Sequence, residues 1–212
     1  MVSKCPLCLN NDTILYSKDL LRQYYFCKKC HLVFVPAEFH ISLQAEKERY
    51  DYHDNNPDNP GYRNFLNQLV QPLIPLLKKP YNGIDFGSGP IPVLSLLLET
   101  AGFQMSNFDP FYANEENITS QKYDFLTSCE VIEHFRNPLE EWNKMIAMVK
   151  NRGLIAISTE TLSENISFNT WYYKSDKTHI CFYSEKTFKW LAEHFQLKKR
   201  YTQSPVRIFQ KS

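Results

Sequence analysis

Four of the six cysteines fall into two pairs, Cys5-Pro-Leu-Cys8 and, after eighteen intervening residues, Cys27-Lys-Lys-Cys30. Each pair can present two sulfurs to one ion, and two pairs complete a tetrahedron with no coordination position left for water or substrate. The spacing predicts a closed, structural Zn2+ site with Cys5, Cys8, Cys27 and Cys30 as ligands and His31 as a neighbour outside the ligand set. Short β-rich runs at 13–16, 24–26 and 32–35 lie between and after the pairs, the pattern of a zinc ribbon. So small a unit has little core of its own, and metal binding supplies much of its folding free energy.

A second set of residues suits ligand binding. Gly87-Ser-Gly89 follows the apolar run 83–86, and Ile91, Val93, Leu94, Leu97 and Leu98 then recur at spacings that suit a buried helix. Glycine admits positive φ and lets backbone approach a ligand with no Cβ in the way, while free amides at a helix start favour a negative group. Asp109 lies 22 residues beyond Gly87, at the end of a partly apolar run at 103–108. That is the position of a ribose-binding acid in a nucleoside-binding βαβ unit. The plainer alternative is any α/β domain with a tight first turn.

Proton chemistry has its candidates further on. A strand at 123–128 ends in Cys129-Glu-Val-Ile-Glu-His-Phe135, which sets Glu130, Glu133 and His134 at the carboxyl edge of an open sheet, where α/β folds bind ligands. Histidine exchanges protons near neutral pH, so His134, then His179, then His53 are candidates for a general base. Their simpler role is to hydrogen-bond the loops that contain them.

These residues require elements to position them. Residues 46–62 mix charges with turn formers and precede an apolar segment, 63–77, expected to be helical until Pro72 and Pro75 disturb it. The stretch reads as a hinge, and its Tyr50, His53, Asn55, Asn56 and Tyr62 either form a lid over the ligand or a plain linker. Only fourteen residues separate Asp109 from Asp124, too few for a helix and a strand, so the third βα unit is expected to be shortened, with 117–118 as a vestigial strand. Asn137-Pro138 opens a helix with Leu139, Trp142, Met145, Ile146 and Val149 on one face and Arg152-Gly153 at its end, followed by a buried strand at 154–159. Residues 160–180 are too long for a tight connection, and Trp171, Tyr172, Tyr173 and His179 within them are expected to face a substrate or cap the core. A serine-capped helix at 184–194 and strands near 197–201 and 206–210 complete the sheet. The expected division is a ribbon module at 1–45, a linker and helical lid at 46–79 and an α/β domain at 80–212.

Composition narrows the class. A formal net charge of +1 argues against a strongly basic nucleic-acid binder, although seven Lys or Arg against two Glu in 184–212 leave a basic tail. The longest apolar run, 91–98, is far short of a membrane span and the first residues contain no apolar leader, so a cytoplasmic protein with reduced thiols is expected.

The order of parts resembles the class I S-adenosylmethionine-dependent methyltransferases over roughly residues 80–210. The resemblance rests on Ile84-Asp-Phe-Gly-Ser-Gly89, Asp109-Pro110, Glu130-Val-Ile-Glu-His134, Arg152-Gly153 before a strand, and Thr178-His179 ahead of Phe182-Tyr183-Ser184. With the cysteine pairs in front, the chain is similar to the subset that has an N-terminal zinc ribbon. The resemblance implies a Rossmann-like sheet with a reversed final strand and S-adenosylmethionine at the strand ends. Asp85, Gly87 and Gly89 would then line the methionine portion, Asp109 would accept the ribose hydroxyls, and Pro110 or Phe111 would pack on adenine. The turn Gly-Ser-Gly-Pro-Ile-Pro lacks the third glycine of a pyrophosphate site, and acidic neighbours such as Asp85, Glu130 and Glu133 suit a sulfonium cation. The expected reaction is methyl transfer to a small-molecule acceptor, with Tyr50, Tyr62, Glu133, Trp171, Tyr172 and Tyr173 around the acceptor. Two alternatives stand beside it: an RNA methyltransferase docking through Lys28-Lys29 and Lys198-Lys-Arg200, and a non-catalytic module that keeps the fold.

Overall fold

The computed structural model describes residues 3–52 and 55–212. The chain opens with β1 (Thr13–Lys18) and β2 (Gln23–Cys27), which pair antiparallel, and the two-residue β3 (Val33–Phe34) lies against β2. Helix α1 (Leu43–Asp51) starts where the Ser42 hydroxyl accepts the Ala45 amide. Helix α2 (Pro60–Leu73) starts where Asn59 accepts the amides of Gly61 and Tyr62, so both starts satisfy amides that have no partner within the helix. Leu66, Leu69, Val70 and Leu73 form the buried face of α2; Pro72 sits in its last turn, and the chain tightens into the 3-10 turn Ile74–Leu76.

The main body alternates strand and helix: β4 (Asn82–Phe86), α3 (Val93–Thr100), β5 (Gln104–Phe108), the single turn α4 (Glu116–Thr119), β6 (Tyr123–Cys129), α5 (Pro138–Met148) and β7 (Val149–Ser158). After the insertion come β8 (Cys181–Phe182), α6 (Glu185–His194), β9 (Leu197–Gln203) and β10 (Val206–Lys211). The six-stranded sheet has the order β5-β4-β6-β7-β10-β9, with β5, β4, β6 and β7 parallel and β10 antiparallel to both of its neighbours. Strand order reverses at β4, so a crevice opens beyond the carboxyl ends of β4 and β6.

Two local expectations are corrected. Residues 117–118 lie in the helical turn α4 and not in a strand, because the Asp109–Ala113 bridge uses the first part of a short connection. Helix α5 ends at Met148, where Val149 turns extended, and Arg152-Gly153 falls inside β7, within an irregularity that sets Tyr123 opposite Val149 but Phe125 opposite Leu154.

Side chains alternate across the sheet. Phe125, Leu154, Ala156 and Ile208 join Leu66, Leu69, Leu94 and Leu98 on the α2/α3 side, while Leu126, Ile155, Ile157 and Phe209 join Trp142, Met145, Phe188 and Leu191 on the α5/α6 side. The second core runs on without a break into Leu7, Tyr24, Leu32 and Phe34 of the amino-terminal sheet. That sheet has the order β1-β2-β3-β8, so its fourth strand comes from the far end of the insertion. Among the described residues no helix is long and apolar enough to cross a membrane.

Candidate active site

The turn after β4 is built around two left-handed glycines, Gly87 at φ 84° and Gly89 at φ 67°. A Cβ on Gly87 would meet the Val131 side chain at 2.4 Å, so the turn is tied by contact to the loop after β6. The amides of Gly87 and Ser88 both donate to the Phe108 carbonyl at the end of β5. The next residue, Asp109, accepts the Gly89 amide on Oδ2 at 3.0 Å and the amides of Phe111 and Tyr112 on Oδ1 at 2.9 and 3.2 Å. One carboxylate thus locks the turn to the loop after β5, and it does so at the wall of a cleft.

That cleft has a volume of about 650 Å3 and brings together Gly87, Gly89, Asp109, Pro110, Phe111 and Glu130 on the sheet side with Tyr50, Tyr62, His134 and His179 opposite. Helix α1 forms part of its roof: the Tyr50 ring lies 5.8 Å from that of Phe111 and 5.3 Å from that of His134. Helix α1 is fastened by Glu46, which accepts from Tyr50 and from two nitrogens of Arg136 while Arg136 also donates to the Ile41 carbonyl. Glu46, Arg136, Tyr112 and Lys144 also line the cleft, and the sequence reading missed them. They belong to distant segments that meet only in the fold, so no local spacing marks them.

Other expected residues stand elsewhere. Asp85 is buried beneath the glycine turn, accepts the Thr127 hydroxyl at 2.9 Å and is outside the cleft lining; burial pushes its carboxyl up to about 7. Glu133 is fully buried behind the lining and accepts from the hydroxyls of Tyr173 and Thr159. Tyr172 and Tyr173 border a second recess of about 410 Å3 with Arg49, Glu130, Asp176 and His179. Trp171 borders neither space. The 3-10 turns Phe168–Thr170 and Tyr172–Ser175 fold the insertion back on the amino-terminal sheet, and Trp171 packs there against Phe168, Tyr173 and Phe182, the capping role and not the substrate-facing one. His53 lies outside the described residues.

Hydrogen bonds fix the protonation sites of the two histidines in the lining. His134 Nδ1 lies 3.1 Å from the Thr178 carbonyl and His179 Nδ1 2.7 Å from the Tyr173 carbonyl. A carbonyl only accepts, so each Nδ1 bears a proton, and Nε2 is the nitrogen of each ring left to exchange one. The ring centroids lie 4.8 Å apart in an edge-to-face arrangement, and burial, reinforced by His134, lowers His179 to about 4. Glu130 holds φ at 52° directly after β6, a backbone strain of the kind that collects at functional sites. Burial and the neighbouring Glu133 push the Glu130 carboxyl up to about 9.

The four cysteines form a separate centre. Two equivalent turns present them: Cys5 N–H donates to the Asn10 carbonyl as Cys27 N–H does to Leu32, and Leu9 N–H donates to Cys5 as His31 N–H does to Cys27. Leu9 and His31, each just after the second cysteine of its pair, share a left-handed φ of 56° and 59°. The four sulfurs cluster within 4.8 Å, with Cys5–Cys30 at 3.5 Å and Cys8–Cys27 at 3.4 Å. Sulfurs about 2.3 Å from a tetrahedral ion lie roughly 3.8 Å apart, so the donor set fits such an ion, and the separations are far too long for disulfides.

No curated protein matches the chain. Solved structures match its fold at low identity. A 1,6-didemethyltoxoflavin-N1-methyltransferase from Burkholderia thailandensis, solved with 1,6-didemethyltoxoflavin and S-adenosylhomocysteine bound, is 12% identical with a TM-score of 0.55, covering 93% of this chain and 99% of that one. The PH0226 protein of Pyrococcus horikoshii OT3 is 15% identical with a TM-score of 0.51 (78% and 99% covered), and an O-methyltransferase family protein from Burkholderia thailandensis is 14% identical with a TM-score of 0.51 (79% and 63% covered). The family model described as a methyltransferase domain matches residues 60–202, which span α2, the glycine turn, Asp109 and five of the six strands of the large sheet, β10 lying beyond it. With two thirds of its length in that match, the chain belongs to the methyltransferase domain family, whose members act with S-adenosylmethionine.

Proposed function

We propose that this chain transfers a methyl group from S-adenosylmethionine to a small-molecule acceptor held in the cleft under α1. The observation that carries this reading is the Asp109 carboxylate, held by three backbone amides in the wall of a cleft of small-molecule size. Asp109 faces the ribose, Pro110 and Phe111 pack on the adenine, and Gly87, Gly89 and Glu130 line the methionine portion, with Asp85 beneath it. Bound there, S-adenosylmethionine supplies a methyl group on a sulfonium that departs as a neutral thioether. The chain's own part is to align the acceptor opposite the sulfur and to exclude water, and helix α1 with Tyr50 and the α2 residue Tyr62 are set to do both.

Acceptor activation falls to His134 first and His179 second, whose Nε2 lone pairs are free for it. In the amino-terminal sheet, Cys5, Cys8, Cys27 and Cys30 hold Zn2+ as a structural ion, since four thiolates leave no open position. The functional division places the lid in 46–79 and the cofactor site in 80–212. The Burkholderia enzyme with a bound small heterocycle supports a small acceptor on this fold. Calorimetry with S-adenosylmethionine, followed by incubation of a cell extract with the chain and methyl-labelled cofactor, tests the reading. Label in small metabolites upholds it; label in RNA, or no cofactor binding, overturns it.

A further inference from the structure

Between the cleft and the second recess, Glu133, His134 and His179 each offer a ligand atom, and these atoms lie within 4.8 Å of one another. His134 Nε2 stands 3.9 Å from Glu133 Oε1. Each histidine donates Nδ1–H to a main-chain carbonyl, an arrangement that fixes ring and tautomer and is the usual outer support of a metal-bound imidazole. Glu130 joins from the strained end of β6, and its Oε1 is buried without a hydrogen-bond partner among the described residues.

The cluster gathers carboxyl and imidazole groups in a buried place. Glu133 and the two imidazoles meet there, and the Tyr173 hydroxyl is shared among Glu133, Glu130 and Thr159. No Lys or Arg forms an ion pair with Glu130 or Glu133 among the described residues. Buried carboxyl groups set so close together need a proton or a cation between them. Ligand atoms about 2.1 Å from an octahedral ion lie roughly 3.0–4.2 Å apart, close to the spacing already present.

We propose that Glu133, His134 and His179, with Glu130 beside them, bind a divalent first-row cation whose open positions face the cleft and take a hydroxyl oxygen of the acceptor. Imidazole with carboxylate suits Mn2+, Fe2+ or Zn2+, and two or three protein ligands leave room for the acceptor. This rests on the methyltransferase reading and specifies how His134 and His179 act: they hold the ion and do not themselves take the proton. The acceptor hydroxyl gives its proton to solvent, an oxygen lone pair forms the new C–O bond, and the C–S bond breaks with its electrons to sulfur. The products are a methyl ether, S-adenosylhomocysteine and a proton.

The test is Mn2+ binding to the full chain, followed by electron paramagnetic resonance, with the four-cysteine centre first filled with Zn2+ because thiolates disfavour Mn2+. One Mn2+ per chain is expected, weakened at least about ten-fold in His179→Gln and in Glu133→Gln. Equal binding by wild type and both variants, or no binding by wild type at millimolar Mn2+, overturns the site. Circular dichroism identifies a variant that fails to fold, in which case His134→Gln replaces it. S-Adenosylmethionine affinity, measured without Mn2+, reports separately on the underlying reading. Labelled product from the cell extract must carry an O-methyl group; an N- or S-methyl product overturns the acceptor assignment.

Discussion

The Asp109 carboxylate accepts the Gly89 amide at 3.0 Å, joining the loop after β5 to the glycine turn after β4 through a single side chain. Because the same group also holds the Phe111 and Tyr112 amides, it sets the shape of the proposed cofactor wall before any ligand arrives. Asp109→Ala leaves three amides without their acceptor. Hydrogen bonds to a charged group contribute about 1.5–3 kcal/mol, so S-adenosylmethionine affinity is expected to fall at least ten-fold by calorimetry. Asp109→Asn keeps one acceptor oxygen and should fall between. An Asp109→Ala variant with wild-type affinity contradicts the ribose assignment.

Gly87 makes a second prediction separable into two parts. A methyl group there is strained by φ 84° and also strikes Val131 at 2.4 Å. Gly87→Ala should therefore destabilise the chain by about 2–3 kcal/mol in urea unfolding, with strain and overpacking both contributing. Adding Val131→Ala removes the collision but not the strain, so the double variant should recover more than additivity allows. Strict additivity of the two losses would exclude the contact as a cause.

These two relationships also mark what was legible in the sequence. The glycine turn, the acid after β5 and the cysteine pairs are local patterns whose spacing is itself the geometry, and the apolar runs in β6, β7 and β10 follow from burial on both faces. What escaped depends on distant partners. β8 has only two residues and is a strand solely because β3 lies beside it. Trp171 has the composition of a substrate contact, but its side chain is directed by where the insertion folds back, toward Phe168 and Phe182. The link from Glu46 to Arg136 joins a helix expected as a hinge to the loop after β6, and neither residue signals the other.

Asp85 predicts a pH dependence of stability in the cofactor-free chain. Its folded value, raised to about 7 by burial, exceeds that of an unfolded aspartate near 3.9. The folded state therefore holds the proton more tightly, and stability is full below about pH 4 and is lost as pH rises through about 7. Asp85→Asn removes the titration. In urea unfolding it should match wild type near pH 4 and exceed it at pH 8, by up to roughly 4 kcal/mol. A gap independent of pH would mean that Asp85 is not buried in the folded chain.

Metal removal tests how far the amino-terminal sheet is fused to the rest. Its core is continuous with Trp142 and Phe188, and β8 completes it from the other end of the chain. Cys30→Ser deletes one of the four proposed ligands and should abolish tight Zn2+ binding by elemental analysis. Because one apolar cluster runs through both sheets, thermal unfolding should shift as a whole, by several degrees, in place of losing a small early step. Two resolved transitions in the variant would show that the ribbon unfolds independently.

Glu46 and Arg136 fasten the roof of the cleft at 2.7 Å, and Glu46 is only 7% exposed. Removing Arg136 leaves a buried carboxylate whose other side-chain contact is the Tyr50 hydroxyl, a destabilisation of about 1–3 kcal/mol once the partial exposure of Arg136 is discounted. The local consequence is looser: α1 loses its tie to the loop after β6, and Tyr50 loses its fixed place against His134. Arg136→Ala is therefore expected to raise the acceptor KM several-fold while leaving S-adenosylmethionine affinity nearly unchanged, because Asp109 and the glycine turn lie on the opposite wall. The pair Glu46→Gln with Arg136→Met replaces the ion pair by a neutral one and should restore stability more than it restores the acceptor KM, since packing alone does not return Tyr50 to one position. Parallel loss of cofactor and acceptor affinity in Arg136→Ala would instead show that the roof holds both ligands.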